Sequence, residues 1–351
     1  MKRRASLMIY SVQYLRAIAA LAVALFHFRP LFIAAGGSEA VASGVDWGHA
    51  GVPIFFVIAG FIMVWSTHLK ARPGPFIVRR LVRIYGGYLP IALAFLAYKA
   101  ATTGVDYWIP GGLDLGGSLL LLQTDPRQLL MFPAWTLPYE LLFYGFFAAS
   151  LIAGERRFAV AFMAGSAAVA LASSLDVLAV GFSTVLGNPI NLNFVLGVIA
   201  GLYVKAGYRV RAWPMGAAGI ALLGYGMLHG ADQNEWLRLL TYGGGLCLLL
   251  PVLTRLELSG VVPQWRAGAV FGDASYGLYL VHAPILFVLQ TTPAASYIAW
   301  YTGPVGLALT YLTLIMGLSL GYYTGVERPV QLGLRRLLRG SPASRPADRQ
   351  M

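Results

Sequence analysis

The sequence has 351 residues, of which 58% are hydrophobic and only 11% charged, and its mean hydropathy is +0.68. Soluble domains carry about 25% charged residues, so this composition excludes a soluble globular protein and indicates a polytopic membrane protein. The net charge of +12 arises from basic residues at successive helix ends, which argues against nucleic-acid binding, and the single Cys247 leaves no cysteine-based metal site.

Runs of about twenty apolar residues, the length that crosses ~30 Å of hydrocarbon, follow one another along the chain. There are about ten of them, at 12–34, 48–69, 84–102, 134–154, 158–179, 189–206, 212–229, 237–254, 271–291 and 297–323. The stretch 113–132 is leucine-rich but contains glycines, Asp125 and Pro126, so we predict an interfacial or re-entrant segment there. The predicted fold class is all-α, a polytopic membrane helix bundle.

The distribution of Lys and Arg orients this bundle. If the N-terminus is cytoplasmic and 113–132 does not span, all but four of the 26 Lys and Arg residues lie on the cytoplasmic side; the four are Arg29, Lys99, Arg127 and Arg238. A further span at 113–132 would largely remove this bias. We therefore expect both termini in the cytoplasm, one membrane domain over residues 1–330, and a basic, disordered tail over 331–351.

The first apolar run contains two ionisable residues, Arg16 and His27, in the stretch YLRAIAALAVALFHF. Eleven residues of α-helix advance about 16 Å and return to within about 20° of the starting direction, so both side chains leave one face. Counted along the spans, Glu140 and His282 lie at a depth similar to that of His27, which predicts one shared cavity. The alternatives are that Arg16 extends to the lipid headgroups and that His27 forms an interhelical hydrogen bond.

A cluster of arginines precedes the third run, in the stretch VRRLVRI. Arg79, Arg80 and Arg83 are spaced at i, i+3 and i+4, so their side chains can converge at the cytoplasmic mouth of the bundle. Guanidinium groups match the oxygens of phosphate in geometry and charge. The alternative is ordinary anchoring of a cytoplasmic loop to lipid phosphates.

Six stretches resemble, in order and spacing, the motifs of the acyltransferase-3 family of bacterial membrane proteins, and most of all its exopolysaccharide acetyltransferase branch. They are QYLRAIAALAVALFH, GVPIFFVIAGFIM, RRLVRI, WTLPYELLFY, NLNFVLG and DASYGLYLVHAPI. The resemblance implies an inner-membrane enzyme that transfers an acyl group from cytoplasmic acetyl-CoA, or a related acyl-CoA, to a hydroxyl of an envelope carbohydrate. Matching motif positions are Arg16, His27, Arg80, Arg83 and Glu140, with Ser275, Tyr276 and His282 as substrate-binding candidates.

These expectations combine into a mechanism. Arg79, Arg80 and Arg83 would hold the phosphates of the acyl donor, whose thin pantetheine arm would reach His27. Arg16, predicted as a catalytic residue together with His27 and Glu140, would hold phosphate or polar groups of the pantetheine arm. His27 would act as general base toward the acceptor hydroxyl, with Glu140 supporting it; an acyl-imidazole on His27 is the alternative. No metal is expected. The expected partners are a carbohydrate or glycolipid acceptor, membrane lipid and polysaccharide biosynthesis machinery, with no nucleic acid.

A function of another class fits the same buried charges. In a transporter or flippase for a glycolipid or small solute, Arg16, His27 and Glu140 would serve as a proton relay. Transporters usually contain helices broken near the midplane. In this chain Pro138 and Pro284, which lie inside predicted spans, are beside motif residues.

Overall fold

The computed structural model describes residues 8–107, 109–174, 183–208, 211–229 and 234–340, and all secondary structure in these ranges is helical. The helices are α1 (Tyr10–Ala34), α2 (Glu39–Ser43), α3 (Gly51–Ser66), α4 (Pro73–Thr102), α5 (Leu115–Leu120), α6 (Leu137–Ile152), α7 (Phe158–Ser174), α8 (Ser183–Leu186), α9 (Asn191–Lys205), α10 (Ala212–His229), α11 (Glu235–Arg238), α12 (Gly245–Leu258), α13 (Arg266–Asp273), α14 (Ser275–Thr291), α15 (Ala294–Tyr322) and α16 (Arg328–Gly340). The predicted all-α class is confirmed.

Several of these helices are long and apolar enough to cross a bilayer. Five described segments meet both requirements, and a sixth does if α13 and α14, which bend by 60° at their junction, count as one span; the five are Tyr10–Ala34, Glu39–Ser66, Pro73–Thr102, Glu235–Leu258 and Ala294–Leu334. The chain is thus a multi-pass membrane protein. The full number of about ten spans and the cytoplasmic location of both ends stay predictions.

The helices follow the predicted apolar runs, each of which overlaps one of them. The stretch 113–132 contains the six-residue α5 and short 3-10 turns, which cannot cross a bilayer. It packs onto α4, where the hydroxyl of Tyr88 donates to the carbonyl of Ser118 over 2.9 Å. In the region predicted as a tail, α16 occupies residues 331–340; residues 341–351 lie outside the described ranges.

The closest helix packing joins α3 to α9, and glycine makes it possible. A Cβ atom on Gly197 would lie 2.0 Å from the carbonyl oxygen of Val57, and one on Gly60 would lie 2.2 Å from that of Phe194. Small residues allow helix backbones to approach in this way inside a membrane. Phe194 of α9 also stacks on Phe56 at 4.1 Å between ring centroids, so α3 is held rigidly beside the site described below.

The N-terminus of α1 is fixed by a carboxylate from α12. Glu257 accepts hydrogen bonds from the amide of Tyr10 (2.6 Å), the amide of Ser11 (2.9 Å) and the hydroxyl of Ser11 (2.7 Å). These amides have no partner within the helix, so the carboxylate satisfies donors that would otherwise be unpaired and opposes the positive end of the helix dipole. This contact sets the position of Arg16, about one and a half turns farther along α1.

Candidate active site

Arg16 lies inside the bundle. Its side chain is 8% exposed, and its Nη1 atom donates to Oε1 of Gln13 over 3.0 Å, while Nε2 of Gln13 donates to Asp273 of α13 over 3.0 Å. The guanidinium is therefore oriented by a short chain of hydrogen bonds and does not extend to the headgroups, which was one alternative from the sequence.

A cavity of about 710 Å³ collects most of the predicted site residues. Helices α1, α3, α4, α6 and α14 contribute its walls, and the polar or ionisable residues lining it are Arg16, Arg80, Arg83, Thr136, Glu140, Tyr144, Ser275, Tyr276 and Tyr279. Most of the remaining lining is aliphatic or aromatic, from α3. We call this space the arginine cavity.

The arginines of this cavity form no direct ion pair, although Glu140 lines the same cavity and interacts with their charge at longer range. In the described ranges, every ion pair within 4 Å involves other residues, so Arg16, Arg80 and Arg83 carry three positive charges that no carboxylate pairs directly. Arg80 donates to the hydroxyl of Ser66 over 3.3 Å, and its guanidinium lies over the ring of Tyr144 at 5.4 Å. Unpaired buried cations are costly unless an anion joins them. The cavity is therefore suited to a phosphate-bearing ligand.

A second space of about 1090 Å³ adjoins the arginine cavity. The two share Ile62, Arg80 and Arg83 as lining residues, and the second also contains Arg79 and Gln331. It lies where the α3–α4 loop meets α16, at one end of the bundle. Arg79 is exposed at this entrance, whereas Arg80 and Arg83 face the interior.

His27 and His282 form a stacked pair beyond the arginine cavity. Their ring centroids are 5.3 Å apart with an angle of 25° between the planes. The Nδ1 atom of His27 is 2.9 Å from the carbonyl oxygen of Val23, and that of His282 is 2.5 Å from the carbonyl oxygen of Tyr279. A carbonyl can only accept, so each neutral ring carries its proton on Nδ1 and a free lone pair on Nε2. The Nε2 atom of His282 is buried and has no partner within the described residues.

Tyr279 and Thr136 separate the histidines from the arginine cavity. Both residues line that cavity, and their hydroxyl oxygens are 3.1 Å apart. The Tyr279 ring centroid lies 5.7 Å from that of His282 on its other side. The sequence analysis did not single out either residue. A signal existed for Tyr279, because Ser275, Tyr279 and His282 are spaced at i, i+4 and i+7 and share one face of α14.

Glu140 lines the arginine cavity and His27 does not, which corrects the expectation that these two residues share one cavity. Its carboxylate accepts a hydrogen bond from Tyr144 and lines the arginine cavity, whereas the ring contacts of His27 are with Phe26, Phe132 and His282. The depth count assumed that the chain enters the membrane at 134. The contact between Phe132 and His27 shows that the segment before α6 already lies inside the bundle. Glu140 comes eight residues after Phe132 in the chain, so it lies beyond the depth of His27.

The other candidates divide between the two regions. Ser275 and Tyr276 line the arginine cavity, where the hydroxyl of Tyr276 donates to the carbonyl of Ile84 over 3.0 Å. The Ser275 hydroxyl is buried and has no hydrogen-bond partner in the described ranges. His282 alone of the three substrate-binding candidates lies beside His27. No cluster of three or more metal-ligating side chains occurs within the described residues.

Comparison with known proteins identifies the family. The family model for the acyltransferase-3 domain, described as an acyltransferase domain, matches residues 9–324. The chain belongs to the acyltransferase-3 family. This acyltransferase is 29% identical over 337 residues to the exopolysaccharide production protein ExoZ of Rhizobium meliloti (strain 1021), an alignment that covers 86% of this chain and 95% of that protein.

A second relative comes from a different bacterium. The acyltransferase MdmB of Streptomyces mycarofaciens is 25% identical over 368 residues, covering 95% of this chain and 94% of that protein. No solved structure matches this acyltransferase significantly. The family assignment makes the chain an acyltransferase.

Proposed function

We propose that this acyltransferase moves an acetyl or other acyl group from acyl-CoA to a hydroxyl of an exopolysaccharide or other envelope carbohydrate in the bacterial inner membrane. One observation carries the proposal: the buried Arg16 lines one cavity with the partly buried Arg80 and Arg83 and shares one face of α1 with His27. His27 in turn stacks on His282, and both rings keep a free lone pair on Nε2. The relative named as an exopolysaccharide production protein supports a carbohydrate acceptor. The acceptor would come from polysaccharide biosynthesis machinery.

The arginine cavity suits the phosphates of coenzyme A. Arg80 and Arg83 would bind phosphate oxygens where the cavity meets its entrance, Arg79 would attract the donor from solution, and Arg16 would bind deeper polar groups. About 16 Å of helix rise separates Arg16 from His27, a span that the extended pantetheine arm can cover. Glu140 would balance part of the positive charge, and Ser275 offers its free hydroxyl to the arm.

His27 is assigned the proton transfer. Its Nε2 atom would accept the proton of the acceptor hydroxyl while the hydroxyl oxygen forms a bond to the thioester carbon. The carbon–sulfur bond then breaks, and the proton passes from His27 to the departing thiolate, so the products are an ester and the free thiol. His282 would accept a hydrogen bond from the acceptor through its own Nε2. An acyl-imidazole on His27 remains the alternative route.

Transport is not part of the proposal. The family model that matches residues 9–324 is that of an acyltransferase domain, which favours group transfer over a proton relay through Arg16, His27 and Glu140. In the described structure Tyr279 and Thr136 lie between the arginine cavity, which holds Glu140, and the imidazole pair. This arrangement suits a reaction in which the uncharged end of the pantetheine arm carries the acyl group to the imidazoles.

The test uses the protein in lipid nanodiscs with acetyl-CoA labelled in the acetyl group and a carbohydrate fraction from the host envelope. We expect acceptor-dependent release of thiol and transfer of label, with His27→Ala reducing the rate at least ~100-fold. His229→Ala is the matched control, because His229 is exposed and stacks on Tyr225. Full activity of a folded His27→Ala protein would refute the assignment.

A second measurement separates the two routes. Direct transfer needs both substrates bound at once and gives intersecting initial-rate lines when donor and acceptor are varied. An acyl-imidazole gives parallel lines and leaves label on the protein when acceptor is omitted. We expect intersecting lines and no acceptor-free labelling.

A further inference from the structure

A third cavity, of about 520 Å³, lies on the other side of the imidazole pair. It is bordered by the end of α4, by Tyr107, Ile109 and residues of 126–132, and by the end of α14. Lys99, which lines it, follows Arg83 on α4 by sixteen residues, or about 24 Å of helix rise. This cavity therefore lies toward the end of the bundle opposite the arginine entrance. We call it the lysine cavity.

Phe132 joins the lysine cavity to the proposed chemistry. Its ring lines the cavity, and its centroid lies 4.7 Å from that of His27 and 5.8 Å from that of His282. A molecule in the lysine cavity would thus be one aromatic ring away from the imidazoles. The arginine cavity approaches the same pair from the Tyr279 side, so the two cavities flank the histidines.

Lys99 is a buried cation in this cavity. Its side chain is 1% exposed, and Nζ donates one hydrogen bond, of 2.8 Å, to the carbonyl of Tyr107. The rings of Phe287 and Phe95 lie 5.3 and 5.8 Å from Nζ. The carboxylate of Asp106 is near enough to interact with the charge, but within the described part of the chain no acid forms an ion pair with Lys99.

An ammonium group has three protons to donate, and one is used here. Aromatic faces stabilise a cation modestly, while a buried charge without an anion is unfavourable. An anionic ligand group would remove this penalty and accept the remaining donors. The rest of the lining is mostly apolar, with the amide of Gln290 as a further hydrogen-bonding group, which is the usual composition of a ligand pocket.

We propose that the lysine cavity binds the carbohydrate acceptor and that Lys99 recognises an anionic group on it, a carboxylate or a phosphate. This inference rests on the proposed function and names its substrate class: the acceptor is an acidic or phosphorylated glycan. The hydroxyl to be acylated would enter past Phe132 to the Nε2 atoms of His27 and His282.

The test measures binding first, so that it does not depend on turnover. The probes are a glucuronic-acid-containing oligosaccharide, its carboxyl-reduced neutral counterpart, and that neutral oligosaccharide carrying a terminal phosphate, each titrated onto the full-length protein in nanodiscs. We expect Lys99→Met to weaken binding of an anionic probe about 10- to 100-fold, the worth of a charge-assisted hydrogen bond, and to leave the neutral probe unaffected. Lys99→Arg should retain most of the affinity.

Arg127→Met is the matched control. Arg127 lies on the loop bordering the same cavity but is exposed and paired with Asp125 at 2.7 Å, a contact that lowers the pKa of the Asp125 carboxyl to about 2. We expect no change in binding for this variant. Dependence on Lys99 with the glucuronate probe identifies a carboxylate as the ligand, and dependence with the phosphorylated probe identifies a phosphate.

Three results would overturn the inference. The first is equal binding of the anionic probes by the unmodified protein and by Lys99→Met. The second is that the unmodified protein binds no probe. The third is that Lys99→Met loses affinity for anionic and neutral probes equally and melts at a lower temperature, which would make Lys99 a structural residue. Thiol release from acetyl-CoA is then measured with the bound probe. Binding that depends on Lys99 without thiol release would refute the proposed function and leave the anion site standing.

Discussion

Replacement of Arg83 by Gln tests the assignment of the arginine cavity to the acyl donor. Arg83 lines both the cavity and its entrance and has no ion-pair partner in the described ranges. Hydrogen bonds to a charged partner in a sheltered site contribute about 1.5–3 kcal/mol, and each 1.4 kcal/mol is a factor of ten. We therefore expect kcat/KM for acetyl-CoA to fall about 10- to 150-fold, mainly through KM.

Arg79→Gln is the comparison, because Arg79 lies one turn away on the same helix and is exposed. Exposed ion pairs contribute about 0–1 kcal/mol, so the loss should be at most about fivefold. The small effect should also disappear in 1 M salt, where the Debye length is about 3 Å, whereas the Arg83 effect should persist because buried charges are screened less. The assay is thiol release at varied acetyl-CoA and saturating acceptor.

Equal losses for the two variants would refute this reasoning, since they would mean that the cluster acts only through its summed surface charge. A loss confined to the KM for the acceptor would be equally damaging. Arg83→Lys offers a finer test, because a lysine keeps the charge but loses the planar fork. We expect its donor KM to lie between those of the unmodified protein and Arg83→Gln.

Three further predictions concern the frame of the site and the second imidazole. Glu257→Ala should lower the free energy of unfolding by about 2 kcal/mol, because it leaves first-turn amides of α1 unpaired. Glu155→Ala removes an ion pair whose side chains are 51% and 80% exposed, so it should change that free energy by under about 0.5 kcal/mol. The melting temperatures of the two variants in one detergent test this difference. Gly197→Ala should lower the free energy of unfolding by about 1–3 kcal/mol, because the added methyl group clashes with Val57. Gly145→Ala should be neutral or slightly stabilising, because a methyl group at Gly145 meets no other atom within 4 Å; similar melting temperatures for both variants would contradict the packing argument. His282→Phe keeps a stacked ring but removes Nε2, so the KM for the acceptor should rise about tenfold or more while the KM for the donor stays constant. A change in the KM for the donor alone would contradict the assignment of His282 to acceptor binding.

Helix positions were predictable because hydropathy and span length are local properties of the sequence. α4 illustrates where that information ends. The predicted run begins at 84, but the helix begins at Pro73, because the arginines that interrupt the apolar run do not interrupt the helix. Their guanidinium groups face a cavity inside the protein instead of lipid, and a linear hydropathy profile does not distinguish these environments.

The grouping of the ionisable residues was only partly predictable. Arg16 and His27 share a face by helix geometry alone, and Arg80 and Arg83 converge by their spacing. The location of Glu140 required the tertiary fold, since the 3-10 turn Phe132–Thr136 enters the bundle before α6 begins. An estimate of depth by counting residues from the membrane surface fails wherever a span is preceded by such a segment.

The arrangement of the cavities bears on how the donor and the acceptor of the proposed reaction would meet inside the membrane. The arginine cavity and the lysine cavity approach one imidazole pair from opposite sides, with Tyr279 and Thr136 on the first side and Phe132 on the second. A charged donor and a polar acceptor would then each remain at their own end of the bundle. Only the uncharged end of the pantetheine arm, with its acyl group, would pass the hydroxyl pair of Tyr279 and Thr136. Neither the coenzyme phosphates nor the glycan would have to enter the hydrocarbon region, where an unpaired charge is strongly unfavourable. The proposed separation of donor and acceptor would explain why the cations of the two cavities lie at separate depths with the imidazoles between them.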